Sequence, residues 1–275
     1  MASPASSAAE GSAARPSPAA RLERPDYGLD APGVVRNLFL AGAAGLVLWL
    51  GSALRVWPGA PWGVPLTWMG FGCFVGFTAT GIYMVWLSKV GKVRFRERLL
   101  DKLPWRGEEM VLDVGCGRGL MLIAAARRLA PGGAGKACGI DIWQAEDLTG
   151  NAQAATLENA RREGVLDRVE IKTADMRQIP YADGTFDAVV STAAIHSLYD
   201  RADRAKAIAE IARVLKPGGG ALISDIRHLG EYAQTFRSHK FTDIRRVGSP
   251  LVQRFWAVIT FGSFQPATLL ARKRG

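Results

Sequence analysis

Between Arg55 and Lys89 the chain carries no charged residue. A helix in the core of a soluble protein usually keeps a polar edge, so an uncharged stretch this long points to lipid as its surroundings. Within it, Trp62 to Leu87 is long enough to cross a bilayer with some tilt. An earlier apolar run, LFLAGAAGLVLWLGSAL from Leu38 to Leu54, has 17 residues and reaches the lower limit for a span. The segment VWPGAPWGVP between them suits a short interfacial turn, with Trp57, Trp62 and Trp68 as aromatic belt residues. The expectation is two transmembrane helices forming a hairpin over residues 34–91.

Orientation follows from the flanking charge. Lys89, Lys92, Arg94, Arg96, Arg98 and Lys102 crowd after the second run, opposed only by Glu97 and Asp101, while the loop between the runs has Arg55 alone. Both termini, and all that follows the hairpin, are therefore expected on the cytoplasmic side of a membrane. Contact of this cluster with anionic headgroups accounts for much of the net charge of +10. Nucleic acid is disfavoured as a partner, because no aromatic and basic RNA-binding motif accompanies the charge.

Residues 1–33 are dominated by Ala, Ser, Pro and Gly without apolar periodicity, and are expected to form a disordered tail. Glu10, Glu23 and the lack of an amphipathic stripe argue against a transit peptide, and the distance of the first apolar run from Met1 argues against a signal peptide. Cys73, Cys116 and Cys138 form no CxxC pair, so neither a disulfide framework nor a thiolate metal site is indicated.

From residue 92 to 275 short apolar runs alternate with helical stretches, the mark of βαβ units on a parallel sheet. Strands are expected at Met110 to Val114, Lys136 to Ile142, Val169 to Thr173, Phe186 to Ser191, Ala221 to Asp225, Phe241 to Val247 and Thr268 to Arg272. Helices are expected at Leu120 to Leu129, Ala152 to Glu163 and Ala202 to Leu215, the last stopped by Lys216-Pro217-Gly218, with a strand-rich tail after Asp225. The stretch VLDVGCGRGL, residues 111–120, places Gly115, Gly117 and Gly119 where the first strand turns into a helix, at the edge where open α/β sheets bind ligands. A dinucleotide fingerprint would need a further glycine at position 120, which is Leu120.

With VLDVGCGRG, GIDIW, TADMRQIPYADGTFDAVVS and EIARVLKPGGGALISDI in this order, the chain from about Phe95 to Arg274 resembles the class I S-adenosylmethionine-dependent methyltransferases. The resemblance implies a Rossmann-like α/β fold with a seven-stranded sheet, and S-adenosyl-L-methionine as cofactor. It also implies a binding set of Asp113, Gly115, Cys116, Gly117, Gly119, Asp141, Ile142, Asp175, Met176 and Ser191. Asp113 suits a cationic cofactor, and Asp141 stands at a strand end where two ribose hydroxyls would donate to it. Ile142 would pack on adenine, Asp175 would meet its amino group, and Met176 would offer a backbone N–H. Cys116 reads as a loop filler, since no neighbouring base would activate it.

The segment STAAIHSLYDR, residues 191–201, would face the methyl group, with His196 as a base toward a hydroxyl acceptor. Asp225, ending the fifth strand, would line the acceptor site; Tyr199 and His228 are further candidates there. No N-P-P-aromatic motif follows the fourth strand, which disfavours amino-methylation of adenine or glutamine by resemblance. The domain tethered to a bilayer suggests a small, apolar or lipid-like acceptor. The competing readings are an RNA methyltransferase and a membrane-anchored module that binds cofactor without catalysis.

Overall fold

The computed structural model describes residues 25–54, 56, 63–144, 148–259 and 265–275. Trp57, Trp62 and most of the expected interfacial turn lie outside these residues, as do residues 1–24 of the expected tail.

Seven strands form one sheet in the order β3-β2-β1-β4-β5-β7-β6. These are β1 (Met110–Val114), β2 (Lys136–Asp141), β3 (Val169–Thr173), β4 (Phe186–Thr192), β5 (Leu215–Asp225), β6 (Phe241–Val247) and β7 (Ala267–Lys273). The first five pair in parallel, and β7 inserts antiparallel between β5 and β6. β1 lies at the centre, its Val111, Leu112 and Val114 buried, as a near-continuous apolar strand covered on both faces should be. The helices of this domain are α3 (Lys92–Leu100), α4 (Leu120–Ala126), α5 (Gln153–Arg162), α6 (Arg201–Val214), α7 (Leu229–Ser238) and α8 (Pro250–Ile259). One apolar core brings α6 and α7 against the sheet, and a second gathers α3, α4 and Tyr27.

The region after Asp225 is not strand-rich, because α7 and α8 interleave with β6 and β7; Leu229, Tyr232, Ala233 and Phe236 give α7 one buried stripe at helical spacing. Lys216-Pro217-Gly218 does not stand outside the elements as a stop: α6 passes directly into β5 at Leu215. Pro217 is accommodated because the β4–β5 pairing shifts register between Phe186 and Ala188, releasing a ladder position that a proline could not fill.

Before this domain, α1 (Pro32–Ala53) and α2 (Gly63–Trp86) pair with each other. The helices Pro32–Ala53 and Val64–Leu100 are long and apolar enough to cross a membrane, and only 17% and 11% of their most apolar windows are buried. Small residues let the two backbones approach. A Cβ on Gly45 would fall 2.6 Å from the Phe74 nitrogen, and one on Gly70 would fall 2.6 Å from the Trp49 nitrogen. Ser52 and Thr67 join hydroxyls at 2.6 Å near the helix ends.

α2 continues through a wider turn at Leu87–Gly91 into α3. Arg96 of α3 reaches the Leu120 carbonyl at the start of α4, and Glu97 meets Arg128 just past its end. α3 therefore runs alongside α4 from the carboxyl edge of the sheet toward the amino edge, and α1 and α2 project beyond the carboxyl edge.

Residues 25–31, within the expected disordered tail, instead form a strap against the domain. Asp30 bridges to Leu148, the Tyr27 hydroxyl donates to Glu163 at 2.9 Å, and the Arg96 guanidinium lies 4.9 Å from the centre of the Tyr27 ring. Lys92 donates to the carbonyls of Tyr27 and Gly28 and pairs with Asp30, and Lys89 pairs with Asp26. Buried aromatic and charge-paired contacts supply here the ordering that apolar periodicity does not.

Candidate cofactor and acceptor site

The sheet order reverses between β1 and β4, and the crevice beyond their carboxyl ends is where such sheets bind ligands. The glycine loop forms its floor. Gly115 adopts φ 73°, and its amide and that of Cys116 donate to the Ile140 carbonyl at the end of β2. A side chain at 115 would collide with the Ala194 methyl, so only glycine allows both this turn and that approach. Met176, after β3, is half-buried, its methyl near the same glycine. Gly117 and Gly119 also take positive φ.

The Asp141 carboxylate organises the loops around the crevice. It accepts from the Gly117 amide at 2.8 Å and from the Trp143 amide at 2.6 Å, and Asn151 Nδ2 lies 3.5 Å away. Beside it Ile142 is 49% exposed, a bare aliphatic surface at the lip. Trp143 takes φ 62°, and its indole donates to Thr173.

Other residues of the expected set face elsewhere. Asp113 is buried beneath the loop and accepts from the Leu122 amide at 2.8 Å, holding the first turn of α4; burial pushes its carboxyl up to about 8. Ser191 is also buried, and its hydroxyl donates to the Val114 carbonyl, tying β4 to β1. The Asp175 carboxylate is engaged by Arg177, which holds it below the usual range and also pairs with Asp203. Cys116 packs its sulfur against Gly139, and burial pushes its thiol well up, as befits a filler.

His196 and Asp225 come together across the ends of β4 and β5. His196 Nδ1 lies 2.6 Å from Asp225 Oδ1, a close pair whose ring N–H is off the hydrogen-bond line. The His196 amide donates to Asp225 Oδ2 at 3.0 Å, and Tyr232 of α7 donates its hydroxyl to the same oxygen at 3.1 Å. Burial, reinforced by this carboxylate, raises the Tyr232 hydroxyl above its ordinary range. With its side chain 1% exposed, Asp225 does not line an acceptor surface; it orients His196, whose side chain keeps 18% exposure. Sequence reading missed Tyr232, whose place in the buried stripe of α7 was its only signal. His228 starts α7 and faces Glu231, while Tyr199 is 96% exposed.

Three buried side-chain polar atoms lack a hydrogen-bond partner among the described residues: Asn151 Oδ1, Thr192 Oγ1 and His196 Nδ1. All stand on loops or strand ends at this one edge; Asp225 faces His196 Nδ1, and a polar ligand in the crevice would satisfy the Asn151 and Thr192 oxygens. Two depressions, about 510 and 570 Å³, lie elsewhere, one along α6 and α7 and one beneath the amino ends of β1 and β4. Neither adjoins the glycine loop.

A glycine cradle and a strand-end aspartate at the switch point of a mixed seven-stranded sheet are the arrangement typical of class I S-adenosylmethionine-dependent methyltransferases, and S-adenosyl-L-methionine is the cofactor. Residues 111–219 match the family described as "Methyltransferase domain". The chain is 36% identical over 140 residues to "Methyltransferase GfsG" of Streptomyces halstedii, covering 51% of this chain and 45% of that protein. It is 35% identical over 132 residues to "27-O-demethylrifamycin SV methyltransferase" of Amycolatopsis mediterranei, covering 48% and 44%. It thus spans under half the length of these two relatives. In fold it is similar to geranyl diphosphate C-methyltransferase from Streptomyces coelicolor A3(2), with a TM-score of 0.52 and 18% identity over 71% of this chain and 80% of that one.

The residues fit the cofactor: the glycine loop turns at positive φ beneath the crevice, Asp141 is an acceptor at a strand end, Ile142 is an open apolar surface, and Asn151 and Thr192 have unmet polar atoms.

Proposed function

We propose that this protein is a membrane-anchored methyltransferase that moves a methyl group from S-adenosyl-L-methionine to a small, apolar or lipid-like acceptor. The observation that carries the reading is the exit of α1 and α2 at the same sheet edge as the glycine loop and the His196–Asp225 pair. A hairpin seated in a bilayer there holds the crevice at the membrane surface, which raises the effective concentration of acceptors dissolved in it. Spans whose apolar residues are mostly bare support a lipid setting, and the basic residues after α2 support a cytoplasmic domain. The small-molecule acceptors named for the relatives support a small acceptor here.

When bound, the cofactor supplies a methyl group activated by its sulfonium. The glycine loop and Asn151 hold it, Asp141 accepts from its ribose hydroxyls, and Ile142, Trp143 and Met176 exclude water around its base. Asp175 contributes to the adenine side to the extent that Arg177 releases it. Asp225 Oδ1 faces His196 Nδ1, which leaves Nε2 to take a proton from the acceptor as it is methylated. Positioning and desolvation supply much of the remaining acceleration.

The test is S-adenosylhomocysteine release by the full chain in phospholipid vesicles, offered either a membrane lipid extract or water-soluble metabolites. Release with the lipid extract is expected. Release with soluble acceptors alone sinks the lipid-like acceptor, and cofactor binding without release under any condition supports a non-catalytic module instead.

A further inference from the structure

The helix α8 sits at the carboxyl edge as well, at the β6 end of the sheet, whereas the hairpin leaves beside the central β1. It connects Val247, the last residue of β6, to β7, whose first residue Ala267 pairs with Asp225. Gln265 then returns the chain to the carbonyl of Ile226, beside the His196–Asp225 pair. On this helix Leu251 and Val258, seven residues apart and so on one helical face, are 78% and 74% exposed, and Arg254 stands exposed on the same face. Arg246, near the end of β6, is exposed too.

An aliphatic face carrying arginine and lying at the edge from which two apolar helices leave has the character of an interfacial helix. We infer that α8 is a second membrane contact, dipping Leu251 and Val258 into the headgroup boundary while Arg254 meets anionic headgroups. From β1, beside the hairpin's end, to β6 is four strand spacings, about 20 Å. The crevice between β1 and β5 lies between the two contacts. Two points of attachment fix the tilt of the domain, so the crevice opens onto the bilayer surface rather than swinging on the hairpin alone. An acceptor would then pass from lipid to His196 beside α8 without crossing water. This inference rests on the membrane reading of the hairpin.

Val47→Cys, Asp183→Cys, Leu251→Cys and Val258→Cys, introduced one at a time into a full chain carrying Cys73→Ser and labelled with an environment-sensitive fluorophore, separate a membrane-seated α8 from a hairpin acting alone. Val47 is on the exposed side of α1, and Asp183 lies in the loop before β4, at the far edge. The protein is reconstituted in phosphatidylcholine–phosphatidylglycerol vesicles, with and without nitroxide-bearing lipid. Loss of emission at 47, 251 and 258 but not at 183 is the expected result, with the losses at 251 and 258 shrinking when Arg254 is changed to Glu. Loss at 47 without loss at 251 and 258 overturns the role of α8 and leaves the hairpin reading standing. Labels at 251 and 258 that resist both lipid nitroxide and aqueous iodide show the face covered by protein, as by a second copy of the chain, and overturn it too. No loss at 47 overturns the hairpin reading and this one with it.

Discussion

The Asp225 carboxylate lies 2.6 Å from His196 Nδ1 while it also accepts the His196 backbone amide, so one buried acid fixes both the ring and the turn that carries it. Under the proposed function His196 is the base, and a base so positioned contributes about 10²- to 10⁴-fold to proton transfer. His196→Gln is therefore expected to lower turnover by about that factor while cofactor affinity, measured by calorimetry, stays unchanged. Equal loss of binding and turnover would assign His196 a structural role instead.

The carboxyl of Asp113 is raised to about 8 by burial, against about 3.9 in an unfolded chain. Between these values the unfolded chain gives up this proton and the folded one keeps it. The group's contribution to stability is thus full below about pH 4 and is lost as pH rises toward 8. Asp26, held low chiefly by Lys89, and Asp175, held low by Arg177, exert their effects in the acid range instead. In denaturant titrations from pH 5 to 8 the cofactor-free chain should lose stability, and Asp113→Asn, which keeps an acceptor for the Leu122 amide, should flatten that slope. An unchanged slope refutes the raised value.

Asp141→Ala removes the acceptor for the amides of Gly117 and Trp143 and, under the proposed function, for the ribose hydroxyls. Loss of a charged acceptor weakens binding by roughly 1 to 3 kcal/mol, or about 5- to 150-fold. Calorimetry with S-adenosylhomocysteine checks it, and unchanged affinity excludes the ribose contact.

The central strands and the glycine loop were legible because each rests on local pattern, an apolar run or a glycine turn; His196 and Asp225 were each legible near a strand end, but their pairing was not. What escaped the sequence depends on distant partners. Ser191 ends a strand at the right edge, but the Val114 carbonyl, 77 residues away, takes its hydroxyl. Asp175 sits at the expected position, yet Arg177 and Asp203 decide where its charge goes. The strap carries no periodicity at all, and its order comes from Glu163, Arg96 and Lys92. The α7 stripe of Leu229, Tyr232, Ala233 and Phe236 is present in the sequence, but its helix is short and follows a strand closely, which masks the helical spacing.

The strap meets the cofactor loop through Arg118, between Gly117 and Gly119. Its guanidinium donates to the Asp26 carbonyl at 2.7 Å, pairs with the Asp26 carboxylate, and reaches the carbonyls of Thr149 and Gly150. One side chain thus ties the strap to both the glycine loop and the loop bearing Asn151. Arg118→Gln is expected to speed amide hydrogen exchange at 26–30 and 148–151 while the β1 and β4 amides keep their protection. Exchange unchanged at both segments would show that the hairpin-side contacts of Lys89 and Lys92 hold the strap alone.

The closeness of α1 and α2 depends on Gly70, where an added Cβ would fall 2.6 Å from the Trp49 nitrogen and 2.9 Å from the Gly45 carbonyl. Both neighbours are backbone, so they cannot move aside as a flexible side chain would, and Gly70→Leu must separate the helices. The Ser52 and Thr67 hydroxyls, 2.6 Å apart, report that separation. In a chain carrying Cys73→Ala, the pair Ser52→Cys and Thr67→Cys should cross-link readily under mild oxidation in vesicles, and adding Gly70→Leu should abolish most of the cross-linked product. Persistent cross-linking in the leucine variant would mean that the pairing is held by the connection between the helices rather than by the fit of Gly70 against Trp49.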